Sequence, residues 1–179
     1  MRQYLFDVIL FWVNEFDIDG IRLDCANVLD FNFMKELRRE TAAMKEDFWL
    51  MGEVIHGDYS RWVNPEMLHS VTNYELHKSI YSGFNDHNFF EIAHNVRRLE
   101  AIGRELYTFV DNHDEDRIAS KLTKRGHLAP VYMCLFTLPG IPSVYYGGEW
   151  GVEGKRTRTS DDDLRPAISM DQAEALHCP

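Results

Sequence analysis

The sequence predicts an α/β fold with parallel strands and helices packed outside them. Three observations carry this expectation. Stretches with apolar residues at helical spacing alternate along the chain with short unbroken apolar runs. Successive runs are about 25–35 residues apart, the length a βαβ unit requires. Three of the runs are followed at their carboxyl end by an acidic residue (Asp24, Glu53 and, past the turn 111–113, Asp114), as happens where a buried strand surfaces.

Residues 3–16 place Leu5, Val8, Ile9, Trp12, Val13 and Phe16 on one apolar stripe, the face a helix turns toward a core. No cap residue precedes it, so this helix begins mid-turn. Asp17-Ile18-Asp19-Gly20 reads as a turn. Gly20-Ile21-Arg22-Leu23-Asp24 then reads as a short buried strand, with Arg22 and Asp24 on one face because residues i and i+2 share it. Asp30 is the N-cap of a helix over 31–45, with Phe33, Met34, Leu37 and Met44 inward. Residues 48–52 form a strand that ends at Glu53, and residues 70–74 form a weaker one. The aromatic-rich stretch 81–90 leads into a helix around 89–102. A strand over 106–110 runs into Asp111-Asn112-His113-Asp114. Residues 128–138 are an apolar helix, stopped by Pro139-Gly140-Ile141-Pro142, and a strand follows over 143–146. A polar loop over 147–165 and a helix starting in 170–176 complete the chain. There is no internal repeat and no linker-like composition.

A length of 179 residues allows one domain with a core, and 45% hydrophobic content places the chain among globular proteins. The net charge of −10 argues against nucleic acid or anionic membrane as a partner, since no basic excess is available to neutralise phosphates. Cys25, Cys134 and Cys178 have no regular spacing, so they suggest neither a disulfide framework nor a metal pair. They favour a reducing compartment and hence the cytoplasm; any signal peptide would lie upstream. No apolar run approaches the ~20 residues of a membrane span.

The strand ends hold the chemistry. In a parallel α/β structure these ends lie on one side, so Asp24, Glu53 and Asp114 are expected to converge, with Arg22 and His113 beside them. Clustered carboxylates repel and raise one another's pKa, a cost that packing does not explain. Cleavage of a glycosidic bond uses such a set. Arg22 keeps Asp24 ionised, which suits a nucleophile; the plainer reading is a structural ion pair at a strand end. Burial and a neighbouring carboxylate favour a protonated Glu53, which suits a general acid. A third carboxylate can stabilise an oxocarbenium-like transition state, and His113 can donate to a sugar oxygen.

Gly20-Ile-Arg-Leu-Asp-Cys-Ala26, Gly52-Glu-Val54 and Phe109-Val-Asp-Asn-His-Asp114 resemble three short motifs of the α-amylase family, glycoside hydrolase family 13. Their order matches strands four, five and seven of that family's (β/α)8 TIM barrel, and the resemblance extends through the strand-eight segment 141–148. It implies Asp24 as nucleophile, Glu53 as general acid/base and Asp114 as transition-state stabiliser. Arg22, His113, Asn112 and His56 are implied at the sugar. The implied reaction is retaining cleavage or transfer of α-glucosidic bonds in an α-glucan or maltooligosaccharide, through a covalent glycosyl-enzyme intermediate and with no cofactor. Asp24-Cys-Ala-Asn27, Glu53-Val-Ile-His56 and the loop Asp161-Asp-Asp-Leu-Arg-Pro166 are similar to the neopullulanase and cyclomaltodextrinase branch.

The sequence also departs from the family. Strands one to three, the domain inserted after strand three and the motif that precedes the opening segment are not in it. Residues 1–179 are therefore expected to be the C-terminal portion of the barrel, strands four to eight, and to be unstable or inactive alone. The family's calcium sites draw on the part that is not here, so no residue is assigned to a metal.

Three other readings are weaker. Phe16-Asp-Ile-Asp-Gly20 resembles the D-x-D-G motif of haloacid-dehalogenase-like phosphatases, but the strand follows the motif instead of preceding it. His113, Asp114, Glu115 and Asp116 cannot all ligate one ion, because adjacent residues at a strand end point to opposite faces. A non-catalytic amylase-like binding or scaffold domain, or an inactive fragment, is separated from an enzyme by the acid triad, which is complete here.

Overall fold

The computed structural model describes residues 1–175. Leu176, the expected end of the last helix, and Cys178 lie outside the described residues. The chain divides into two compact units: 1–73 with 105–107, and 74–104 with the residues from 108 onward.

Unit 1 runs α1 (Arg2–Phe16), β1 (Gly20–Leu23), α2 (Phe31–Met44), β2 (Trp49–Gly52) and β3 (Ser70–Val71). Its strands form one parallel sheet in the order β1-β2-β3, with Gly20 opposite Trp49, Leu23 opposite Gly52 and Gly52 opposite Val71. The parallel arrangement expected from the sequence is therefore present. Asp17 takes the left-handed conformation that closes α1, its amide donating to Val13 O at 2.9 Å. Lys45, just past α2, reaches back to Asp17 and Asp19 at 2.8 and 2.5 Å, pinning the turn into β1. Asp30 caps α2 by accepting from Phe33 N at 2.9 Å, as its position before the apolar run predicts. Met34, Leu37 and Thr41 form the buried stripe of α2.

Two expectations for unit 1 need correction. Of the α1 stripe, Leu5, Trp12 and Phe16 are exposed and Val8, Ile9 and Val13 half-buried, and the buried residue is Phe6, at the Ile9–Val13 edge of the stripe. The covered contact is made near the helix start, where Phe6 stacks on Phe33 of α2 at 6.0 Å and Arg2 bridges Asp30 and Glu36. Periodicity identifies the apolar face; tertiary packing decides which face is covered. In β1, Ile21 and Leu23 are half-buried instead of buried, because β1 is the edge of its sheet while β2 is central. At the end of β2, a Cβ on Gly52 would lie 2.5 Å from Leu68 Cδ1 and 2.8 Å from Ala26 Cβ. Only glycine lets the segment before Glu53 pack this closely.

Unit 2 contains α3 (Tyr74–Asp86), α4 (Phe90–Arg98), α5 (Ile118–Lys121), α6 (Leu128–Thr137) and α7 (Met170–Ala175). A two-stranded sheet pairs β4 (Tyr107–Phe109) with β5 (Ile141–Ser143). Leu76, Ile80 and Phe84 from α3 pack with Ile92, Val110, Ile118, Val131 and Leu135 in one buried cluster. Of the strand expected over 70–74, Ser70–Val71 form β3; α3 is not among the expected elements, which have 81–90 only as an aromatic-rich stretch leading into a helix. The signal was there in Leu76, Ile80 and Phe84 at spacing four, but the interspersed Tyr, Ser, Gly and Asn residues hid it. β5 lies two residues earlier than expected and holds Pro142, which an edge strand tolerates.

Candidate active site

In unit 1 the ends of β1 and β2 are joined across Glu53. Its amide donates to Leu23 O and its carbonyl accepts from Ala26 N, both at 2.8 Å. Cys25, in the left-handed conformation at φ 44°, turns the chain so that its own amide donates to Glu53 Oε2 at 3.1 Å. Thr72 holds the next residue from the far side: its hydroxyl accepts from Val54 N at 2.9 Å and donates to Val54 O at 3.1 Å. Glu53 is thus fixed at every backbone neighbour, and its side chain is only 8% exposed.

Arg22 shares its strand face with Asp24, as its position two residues earlier predicts, and donates to Asp24 Oδ1 at 3.0 Å. The same guanidinium reaches Glu53 Oε2 at 3.2 Å, so it serves two carboxylates where the sequence suggested one. The Arg22 hydrogen bond, reinforced by its charge, holds the Asp24 carboxyl below the usual carboxylate range, although the Asp24 side chain is 76% exposed. The neighbouring carboxylates push the Cys25 thiol up, Asp24 most of all. Ligand atoms of Asp24, Cys25 and Glu53 lie within 4.8 Å of one another. This is the one such grouping among the described residues, and Arg22 pairs with both of its carboxylates. His56 is exposed on the loop that follows β2.

Asn112, His113 and Asp114 belong to unit 2, in the turn after β4. Asn112 is part of the turn itself: its Oδ1 accepts from Asp114 N at 2.9 Å, and its Nδ2 donates to Tyr74 Oη at 3.1 Å. His113 Nε2 lies 2.9 Å from Asp114 Oδ2. The other carboxylate oxygen of Asp114 accepts from Arg165 Nη2 at 3.1 Å. Arg165 also bonds Asp161 at 2.6 Å and the His113 carbonyl at 3.1 Å. The sequence reading does not include Arg165 as a site residue, and no local pattern in a polar loop points to a partner 51 residues away. Asp111, also buried, turns inward to accept from Ile118 N at 2.8 Å, and burial pushes its carboxyl up.

The geometry disposes of two competing readings. Asp17 and Asp19 are spent on Lys45 and precede their strand, so the phosphatase-like motif is a turn. Glu115 faces Lys121 and His77, and Asp116 accepts from Arg156 N at 2.7 Å, so the four residues 113–116 share no ligand position.

Comparison with known proteins bears on the family of the chain. The family model described as alpha amylase, catalytic domain, matches residues 1–175. The chain belongs to the alpha-amylase family. The maltogenic alpha-amylase of Bacillus acidopullulyticus is 35% identical over 165 residues, which cover 86% of this chain and 28% of that protein. Neopullulanase 2 of Thermoactinomyces vulgaris is 33% identical over 178 residues, 94% of this chain and 29% of that one. A crystal structure of an Anoxybacillus alpha-amylase superposes with a TM-score of 0.84 at 29% identity, covering 98% of this chain and 40% of its own. The chain thus spans less than a third of these curated relatives, and its parallel β/α elements are those of the alpha-amylase catalytic fold.

Proposed function

We propose that this chain carries the nucleophile and the general acid/base of an α-amylase-type glycosidase acting with retention on α-glucosidic bonds of starch-like oligo- or polysaccharides. The observation that carries the reading is the Asp24–Glu53 spacing. Their nearest oxygens are within 4.8 Å. Retaining glycosidases hold their carboxyl groups about 5–5.5 Å apart, whereas inverting ones need about 6.5–9.5 Å to admit a water between group and sugar.

In this reading Asp24, kept ionised by Arg22, attacks the anomeric carbon while Glu53 gives its proton to the departing oxygen. The glycosidic bond breaks and an Asp24 ester forms. Glu53 then takes a proton from water, or from an acceptor sugar hydroxyl, and that oxygen displaces Asp24. Asp114 is assigned the stabilising role. His113, Asn112, Arg22 and His56 are assigned to sugar hydroxyls, which accept and donate as these side chains require. The reaction as written calls for no cofactor. The names of the two relatives, a maltogenic amylase and a neopullulanase, support an α-glucan or maltooligosaccharide as substrate. The acidic balance of the chain supports neither nucleic acid nor an anionic membrane as partner, and its three unpatterned cysteines support the cytoplasm. We further place residues 1–179 as the C-terminal portion of the (β/α)8 barrel, strands four to eight, a reading supported by the order of the motifs at 20–26, 52–54 and 109–114.

The test uses the chain alone and the chain fused behind the N-terminal part of the maltogenic relative. Maltooligosaccharide cleavage is expected from the fusion, with α-configured product by NMR. A fluoroglycosyl fluoride should leave a sugar ester on Asp24, located by mass spectrometry. A β-configured product, or an ester on another residue, defeats the mechanism. Robust turnover by the isolated chain defeats its assignment as a barrel portion. Sugar binding by the fusion without turnover favours the scaffold reading.

A further inference from the structure

The turn that presents His113 and Asp114 is anchored in unit 2 by a group of side chains that the proposed reaction does not use. His77, on α3, is 97% buried, and its ring stacks on Phe109, the last residue of β4, at 5.0 Å and 16°. Its Nε2 lies 3.5 Å from Glu115 Oε2 and 3.0 Å from Lys121 Nζ. Lys121, the last residue of α5, pairs directly with Glu115 and lies 4.6 Å from the centre of the Tyr81 ring. The Glu115 carboxyl is lowered to about 2, by its hydrogen bond with His77 and by Lys121. One imidazole thus touches both ends of the turn: Phe109, where β4 stops, and Glu115, one residue beyond Asp114. The middle of the turn is tied to the same helix, through Asn112 and Tyr74.

We propose that His77, Glu115 and Lys121 are positioning residues that fix the 112–114 turn, and so the place of Asp114, without touching substrate. This rests on the catalytic reading of Asp114, but its anchoring can be tested apart from catalysis. A carboxylate that follows Asp114 directly and is held by a buried imidazole and a largely covered ammonium cannot move without dragging Asp114 with it. The geometry is built to restrict one loop: its partners come from α3 and α5, and the Lys121 ammonium is enclosed by an aromatic face, an imidazole and a carboxylate, where each contact is worth more than at the surface.

The experiment is amide hydrogen exchange on the full 179-residue chain carrying Glu115→Gln, Lys121→Met or Lys121→Arg. Glu115→Gln keeps shape and volume, so it reports even where Lys121→Met folds poorly. Exchange at 112–115 is expected to rise about tenfold in Glu115→Gln and Lys121→Met, the size of one charge-assisted hydrogen bond. Lys121→Arg should restore it, and Ile80, Leu135 and the β2 amides should be unchanged. Unchanged exchange at 112–115, or a uniform rise across the unit 2 core, overturns the proposal. In the fusion described above, kcat should fall about tenfold with KM within about twofold; a change confined to KM also overturns it. If the unmodified fusion has no turnover, the catalytic reading fails while the exchange result still decides the positioning role.

Discussion

In unit 1, Arg22 is bonded to Asp24, two residues away on the same strand, and to Glu53 at the end of the next strand. In unit 2, Arg165 is bonded to Asp161, four residues away, and to Asp114, 51 residues earlier in the chain. Each unit thus sets one guanidinium between two carboxylates. In unit 1 the arginine is part of the sheet, and the protein backbone fixes its distance from the first carboxylate. In unit 2 the arginine comes from a loop, and only that loop's fold brings it to Asp114. The carboxylates differ too. Glu53 is buried and held through its own amide and carbonyl, to Leu23 O and Ala26 N, while Asp114 is half-exposed and its turn depends on the His77–Glu115–Lys121 group. The lesson is that an arginine encoded two residues from its carboxylate comes with the strand, whereas one encoded 51 residues away depends on everything folded in between.

The largest effect that would sharpen this comparison is expected at the carboxylates. In the fusion, Asp24→Asn and Glu53→Gln should each lower kcat by about 10³-fold or more, with maltooligosaccharide turnover as readout. Comparable losses from Asp161→Asn would break the distinction, because that residue supports and does not attack.

Next come the two arginines. Arg22→Lys replaces a planar fork spanning two carboxylates with a single point charge, and should lower kcat about 10²-fold. Arg165→Lys should cost about tenfold, since one ammonium can still reach Asp114 or Asp161. Equal losses in parallel kinetics would show that strand and loop placement are equivalent.

A third prediction concerns acid stability. The Glu115 carboxyl is depressed from 4.5 to about 2 in the fold, so the unfolded chain binds its proton first. The stabilisation from Glu115 is fully present above about pH 4.5 and is lost as pH falls toward 2. Burial holds the His77 imidazole below its usual range, with Lys121 adding to that, so protonation below about pH 6.5 opposes folding in the same direction. Urea unfolding between pH 7 and 3 should show unit 2 losing stability more steeply than unit 1. Glu115→Gln should remove on the order of 2 kcal/mol of that difference, after allowing for its partial exposure.

The smallest effect belongs to the α2 cap. Asp30→Ala should cost about 1 kcal/mol by denaturant unfolding, since it removes one acceptor for Phe33 N and an exposed pair with Arg2. A loss several times larger would mean that the Asp30–Arg2 pair, and not the cap, anchors α1 on α2.

Much of the architecture was legible in the sequence. Asp30 announced the start of α2, the apolar runs announced β1, β2 and β4, and the i,i+2 relation of Arg22 and Asp24 followed from the pleat alone. These are local rules, set by backbone geometry within a few residues. α3 was lost because its stripe of Leu76, Ile80 and Phe84 was diluted by polar and aromatic neighbours that also suit loops. Tertiary packing alone decided that Phe6, and not the Trp12 and Phe16 stripe, is the buried contact of α1, because that depends on where α2 touches it. It also decided that Arg22 serves Glu53 as well as Asp24, and that Arg165 meets Asp114. Sequence by itself settled which residues carry charge, which share a strand face and where helices are capped. Which charges meet across strands and loops was settled by the parallel register and the loop path, long-range geometry to which no local propensity is sensitive.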